Sequence, residues 1–171
     1  SKLRSELPDV RALIVGDGPE RTALEGMAGQ LGLGDRVVFT GWVQPDQVSA
    51  YLAAADIFVG PSKQGPDGWI EAQGLTFVEA MLAGTPVVAT RCGGIVDAVR
   101  DGETGLLVEQ GAPDEIAAAV ARLAGDAALR ERLVRAAEQL ARARFTRAAS
   151  ALAFSELFAC QLHRRETSRM H

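Results

Sequence analysis

The chain has 171 residues, 47% apolar and 23% charged, enough for one globular domain with a sizeable core. A net charge of −4 argues against a nucleic-acid binder. Its two cysteines, Cys92 and Cys160, lack metal-ligand spacing, and its two histidines, His163 and His171, lie near the C-terminus, so no metal site and no Ser-His-Asp triad is expected.

Taken in chain order, strand and helix signals alternate. Ala12-Leu13-Ile14-Val15 reads as a short buried strand. Pro19 to Leu31 reads as a helix, with Pro at its start and Gly32 at its stop. Arg36 to Thr40 is the second strand. Asp46 to Ala55 is a helix with Val48, Tyr51 and Leu52 on one face. Ile57 to Val59 is the third strand, and Lys63 to Trp69, with two glycines and a proline, reads as either a mobile flap beside Glu71 or an inert surface loop. An apolar helix is predicted over Leu75 to Ala83, ended by Gly84. Pro86 to Thr90 is the fourth strand, Gly94 to Val99 a short helix, and Leu106 to Val108 the fifth strand. Asp114 to Ala124 is a helix with Asp114 as its cap, followed by helices over Ala127 to Ala143 and Arg147 to His163.

Near-continuous apolar strands separated by helices predict an α/β fold: a Rossmann-like parallel sheet with helices on both faces. Ligands of such sheets sit beyond the strand C-termini. Residues 1–145 are expected to form that domain, and residues 146–171 a C-terminal helix and tail. Arginines cluster late, from Arg130 to Arg147 and again at Arg164, Arg165 and Arg169; a solvated helical face accounts for them. No apolar run approaches the ~20 residues of a membrane span, and no signal peptide opens the chain. Together with the reduced thiols, this reads as cytoplasmic.

Glu71 and Glu79 carry the most chemistry. They stand with seven residues between them in GWIEAQGLTFVEAMLAGTPVVAT, on either side of a predicted helix start. Helix-start amides point outward unpaired, and the peptide dipoles add there, so anions bind. Carboxylates beside an anion site suit a ligand that also carries hydroxyls. A nucleotide sugar has both, a diphosphate for the amides and ribose and hexose hydroxyls for the carboxylates.

The run from Pro61-Ser62 through Glu71-Ala72-Gln73-Gly74-Leu75-Thr76-Phe77-Val78-Glu79 to Gly84-Thr85-Pro86 resembles the donor-binding motif of family 4 glycosyltransferases of the GT-B fold. Gly16-Asp17-Gly18-Pro19, Val38-Phe39-Thr40-Gly41, Ala55-Asp56-Ile57-Phe58-Val59, Gly93-Gly94 and Gly102-Glu103-Thr104-Gly105 flank it in the family's order. The resemblance covers roughly Pro8 to Phe145. It implies the C-terminal, nucleotide-sugar-binding half of a retaining enzyme that moves a hexose-type sugar from a UDP- or GDP-linked donor. It further implies Glu71 at the sugar near the reacting carbon. The amides of Gly74, Leu75 and Thr76 would face the phosphates, with Ala72 and Gln73 beside them. Glu79 would accept from the ribose, Gly41, Trp42 and Val43 would lie near the base, and Gly16 would approach the substrate through its backbone. No cofactor and no metal is implied. Gln73 departs from the family pattern, which usually has an aromatic there.

The family also carries another strand and helix ahead of the segment matching Arg4–Val15, with a basic Arg/Lys pair on the diphosphate. An N-terminal acceptor-binding half precedes that and would hold any membrane attachment. Without the first strand, the neighbouring strands either close up or leave a slot open to self-association. A catalytically inactive Rossmann-like interaction module is therefore the alternative. A dinucleotide-dependent oxidoreductase is disfavoured: the third glycine of G-x-G-x-x-G falls at Arg21, and Thr40-Gly41 stand where an acidic residue belongs.

Overall fold

The computed structural model describes residues 2–168, with side chains as far as residue 160. The side chains of His163, Arg164 and Arg165, and all of Arg169 and His171, lie outside the described residues. A 3-10 turn (Lys2–Ser5) leads into β1 (Ala12–Val15), α1 (Arg21–Gln30), β2 (Val37–Gly41), α2 (Val48–Ala54) and β3 (Phe58–Gly60). Then follow α3 (Leu75–Leu82), β4 (Val87–Thr90), α4 (Ile95–Ala98), β5 (Leu106–Val108), α5 (Pro113–Gly125), α6 (Ala127–Arg144) and α7 (Arg147–Ser168).

All strand pairings among these elements are parallel, but they form two sheets: β1 with β2, and β3-β4-β5 with β4 central. β4 is buried along its whole length. Its side chains alternate between two cores, as a strand with helices on both faces requires. Val87 and Ala89 join Phe77, Val78, Met81 and Ile95, with Ala137 and Ala141 of α6. Val88 points the other way, to Leu106, Val108, Val120, Leu123, Leu129 and Leu133. Leu3 of the opening turn and Leu7 just after it cover this second core, and Lys2 pairs with Asp114.

The first sheet departs from expectation. β1 was predicted to be buried, yet all four residues are exposed, Leu13 by 49%. The apolar run ALIV requires neighbours on both edges and both faces to be buried. Here β1 has β2 on one edge and no hydrogen-bonded strand on the other among the described residues. α1 adds little cover: none of its residues is buried.

One smaller correction concerns a helix start. Asp114 does not cap α5; Ala112 holds the cap position and Pro113 takes the first turn. Proline at that position gives up no useful hydrogen, which fixes the start one residue earlier. A true cap occurs at α6, where Asp126 accepts from the Leu129 amide at 2.8 Å. The late arginines are engaged on helix surfaces: Arg130 donates to the Leu123 and Ala124 carbonyls, Arg132 to that of Gly102. Arg135 pairs with Glu131 and Arg142 with Glu138. The chain breaks between α6 and α7 at Phe145 and Thr146, and α7 leaves Leu152, Phe154, Leu157 and Phe158 exposed. Among the described residues no helix is long and apolar enough to cross a membrane.

The two sheets should respond differently to the same deletion. Leu133→Ala, in the closed core, is expected to cost about 2–5 kcal/mol in urea unfolding. Leu13→Ala removes a half-exposed side chain and should cost under about 1 kcal/mol. Equal losses would mean that β1 is buried in solution.

Candidate functional site

β3 ends at Gly60 under the ring of Phe77. A Cβ at Gly60 would stand 2.2 Å from that ring, so only glycine lets it lie there. Phe77 also meets Phe58 edge-on, with centroids 5.3 Å apart. These aromatics floor a cavity of about 490 Å³, walled by Ser62, Glu71, Ala72, Gln73, Gly74, Leu75 and Thr76. Six residues expected at the sugar and phosphates thus line one space. It lies at the C-terminal end of β3 and the N-terminal end of α3, where a parallel sheet receives ligands.

The segment carrying Glu71 is held by backbone. The Gly94 amide donates to the Glu71 carbonyl at 3.0 Å. A Cβ at Gly93 would fall 2.0 Å from the Glu71 oxygen, and one at Gly94 2.0 Å from the Ala72 oxygen. The two chains approach this closely because neither glycine has a side chain. Gly74, at the helix cap, has φ 64°, a left-handed turn that glycine adopts without strain. It turns the chain into α3, whose first residues, Leu75 and Thr76, line the cavity. The Glu71 carboxylate accepts from the Gly74 amide at 3.0 Å and, more weakly, from Gln73 at 3.4 Å. The amides of Leu75 and Thr76 have no protein acceptor among the described residues.

Glu79 lies in the second turn of α3, four residues beyond Leu75 and so on the same face. Its carboxylate is exposed, with no hydrogen bond or ion pair among the described residues, and lies outside the cavity wall. Gly16, Gly41, Trp42 and Val43 form a second group at the ends of β1 and β2. The Gly16 amide donates to the Gly41 carbonyl at 3.0 Å. Trp42 is 64% exposed and Val43 half-buried. None of these four lines the cavity.

Several contributors had no sequence signal. Arg21 lies over Gly41, where a Cβ would meet its guanidinium at 2.7 Å. Glu25, and next Asp17, hydrogen-bond that guanidinium and raise its pKa further. Gln110 ties two loops together: its Nε2 donates to the Arg91 carbonyl and its Oε1 accepts from the Gln64 amide, both at 2.8 Å. Thr90 donates to the Ser62 carbonyl beside them. Within the Lys63–Trp69 segment the chain makes a tight turn. Gly65 donates to the Trp69 carbonyl at 2.7 Å, and Trp69 to Asp67 Oδ1 at 3.1 Å. Among the described residues no group of three or more His, Cys, Asp or Glu side chains converges as metal ligands would.

Gly94→Ala should displace Glu71 to Gly74. Overpacking of this kind costs about 1–3 kcal/mol, and the amide resonances of Glu71 to Gly74 should move in an NMR spectrum. Gly125→Ala, at the end of α5 with open space around it, should change stability by no more than about 1 kcal/mol. If those four resonances stay in place in the Gly94 variant, the backbone clamp does not hold Glu71.

Residues 1–140 match the family described as glycosyl transferases group 1. The chain is 39% identical over 126 residues to the GDP-mannose-dependent alpha-(1-6)-phosphatidylinositol monomannoside mannosyltransferase of Mycolicibacterium smegmatis. That match takes in 73% of this chain and 33% of the relative. It is 37% identical over 155 residues to the lipopolysaccharide core biosynthesis glycosyltransferase LpsE of Rhizobium meliloti, covering 91% of this chain and 43% of that protein. Among solved structures, Alr3699/HepE of Anabaena in complex with UDP superposes with a TM-score of 0.79 at 29% identity, over 92% of this chain and 44% of that one. The chain therefore spans a third to under half of these relatives, and its Rossmann-like fold is that of a GT-B C-terminal domain. The chain belongs to the glycosyl transferases group 1 family.

Proposed function

We propose that this chain is the donor-binding domain of a retaining glycosyltransferase that moves a hexose-type sugar from a UDP- or GDP-linked donor to a glycan, lipid-linked or small-molecule acceptor. One observation carries the reading: a single cavity joins a carboxylate, Glu71, to open helix-start amides, those of Leu75 and Thr76. An anion and a polyol are what such a wall accepts together. A relative that is GDP-mannose-dependent by name, and a structural neighbour solved with UDP, support both nucleotide classes without choosing between them.

Departure of the diphosphate builds negative charge on its leaving oxygen. Donors already aimed at that charge stabilise the transition state without reorganising. The amides of Gly74, Leu75 and Thr76 supply such donors. A helix terminus contributes about 0.3–1 kcal/mol, up to ~2 when partly buried, which is too little alone. The Arg/Lys pair that the family resemblance implies would supply the remainder, and this isolated chain should lack turnover without its acceptor-binding half. Glu71 contacts the hexose hydroxyls near the reacting carbon. In a retaining reaction on one face, the departing phosphate takes the acceptor proton, so Glu71 acts by binding and orientation, and Ala72 and Gln73 line the same subsite. Glu79 accepts from the ribose, with Gly41, Trp42 and Val43 near the base and Gly16 approaching the substrate through its backbone. The exposed apolar face of α7 suits docking on the other half, which would also carry any membrane attachment of a cytoplasmic enzyme.

A second reading draws on the unpaired edge of β1 with Leu13, Ile14 and Val15 exposed: an inactive module that self-associates by strand pairing. Concentration-dependent sedimentation, unresponsive to nucleotide, would favour it.

Titration of the chain with UDP, GDP, ADP and their hexose derivatives by ligand-observed NMR tests the first reading. One nucleoside diphosphate should bind selectively. Glu79→Ala should weaken it roughly ten- to a hundredfold, the worth of a hydrogen bond to a charged group. Binding unchanged by the substitution would remove Glu79 from the site.

A further inference from the structure

Glu71 is placed where a ligand contact and a fold contact compete. Its Oε1 accepts from the Gly74 amide at 3.0 Å. That amide is one of three donors assigned above to the diphosphate. It has one hydrogen, so the carboxylate and a phosphate oxygen cannot both accept it linearly, and two anions at one donor repel. The next two amides, of Leu75 and Thr76, are open. The helix start is thus partly occupied by the protein's own carboxylate, inside the cavity that Glu71 also lines.

Resting on the donor-site reading, we propose that Glu71 is a specificity-determining residue that favours the nucleotide sugar over the free nucleoside diphosphate. A bound hexose offers hydroxyl donors to the carboxylate, which can then leave the Gly74 amide to the phosphates. A free nucleoside diphosphate offers none. Its terminal phosphate also gains an ionisation that the sugar ester lacks. The carboxylate then keeps or retakes the Gly74 amide and repels the more charged product. The same side chain that binds the donor helps to expel what remains after transfer.

The two ligand classes should therefore respond to one substitution with opposite signs. Wild type, Glu71→Gln and Glu71→Ala would be titrated with UDP, GDP, UDP-glucose and GDP-mannose, following the Gly74 amide resonance. Before ligand is added, that resonance should move in Glu71→Ala, which lacks the acceptor. Glu71→Gln keeps the shape and an acceptor oxygen but not the charge, and guards against an unfolded alanine variant. In Glu71→Gln the free diphosphate should bind roughly five- to tenfold more tightly, and the sugar nucleotide roughly tenfold more weakly. A helix cap that served only the fold would weaken both together, and that result overturns the proposal. So does a Gly74 resonance indifferent to Glu71→Ala. If that resonance moves but no nucleotide binds the wild type, the donor-site reading itself fails, and the specificity role falls with it.

Discussion

The contact on which the candidate site depends is between two stretches of backbone. Glu71 and Ala72 press their carbonyls against Gly93 and Gly94, and one amide hydrogen bond closes the contact. Neither stretch belongs to a strand. One follows β3 and the other follows β4, so the pairing of half-buried β3 with fully buried β4 brings the loops together. A packed core thereby sets the height at which Glu71 meets the start of α3. The chemistry of the cavity is a consequence of how β3 pairs with the buried β4.

Much of this was legible in the sequence for a physical reason. β4 is buried throughout and α3 buries Phe77, Val78, Ala80 and Met81, and apolar runs report burial directly. The E-x7-E spacing located the start of α3 because Gly74, needed for a left-handed turn, stands between the acids. The Gly93-Gly94 pair was visible as a motif, but its partner was not: which backbone presses on a glycine is a long-range fact. Gln110 gave no signal, since a lone glutamine after a strand resembles any surface residue until two loops arrive beside it.

β1 marks the opposite limit. Its residues have the composition of a buried strand and the exposure of a surface one. Composition records the environment in which a strand is stable, while exposure records which neighbours are present. The cap of α5 failed for a local reason. Pro113 competes with Asp114 for the same turn, and ring geometry outranks side-chain capping there.

The division into two sheets has a consequence for how the molecule opens. The β3-β4-β5 unit holds both cores, whereas β1, α1 and β2 bury little of themselves. Local opening free energies follow such differences. Backbone amides of β1 and β2 are therefore set to exchange with solvent deuterium through small, frequent fluctuations, and those of β4 only through opening of the whole domain. A ligand spanning both groups of site residues would draw its ordering cost almost entirely from the first unit.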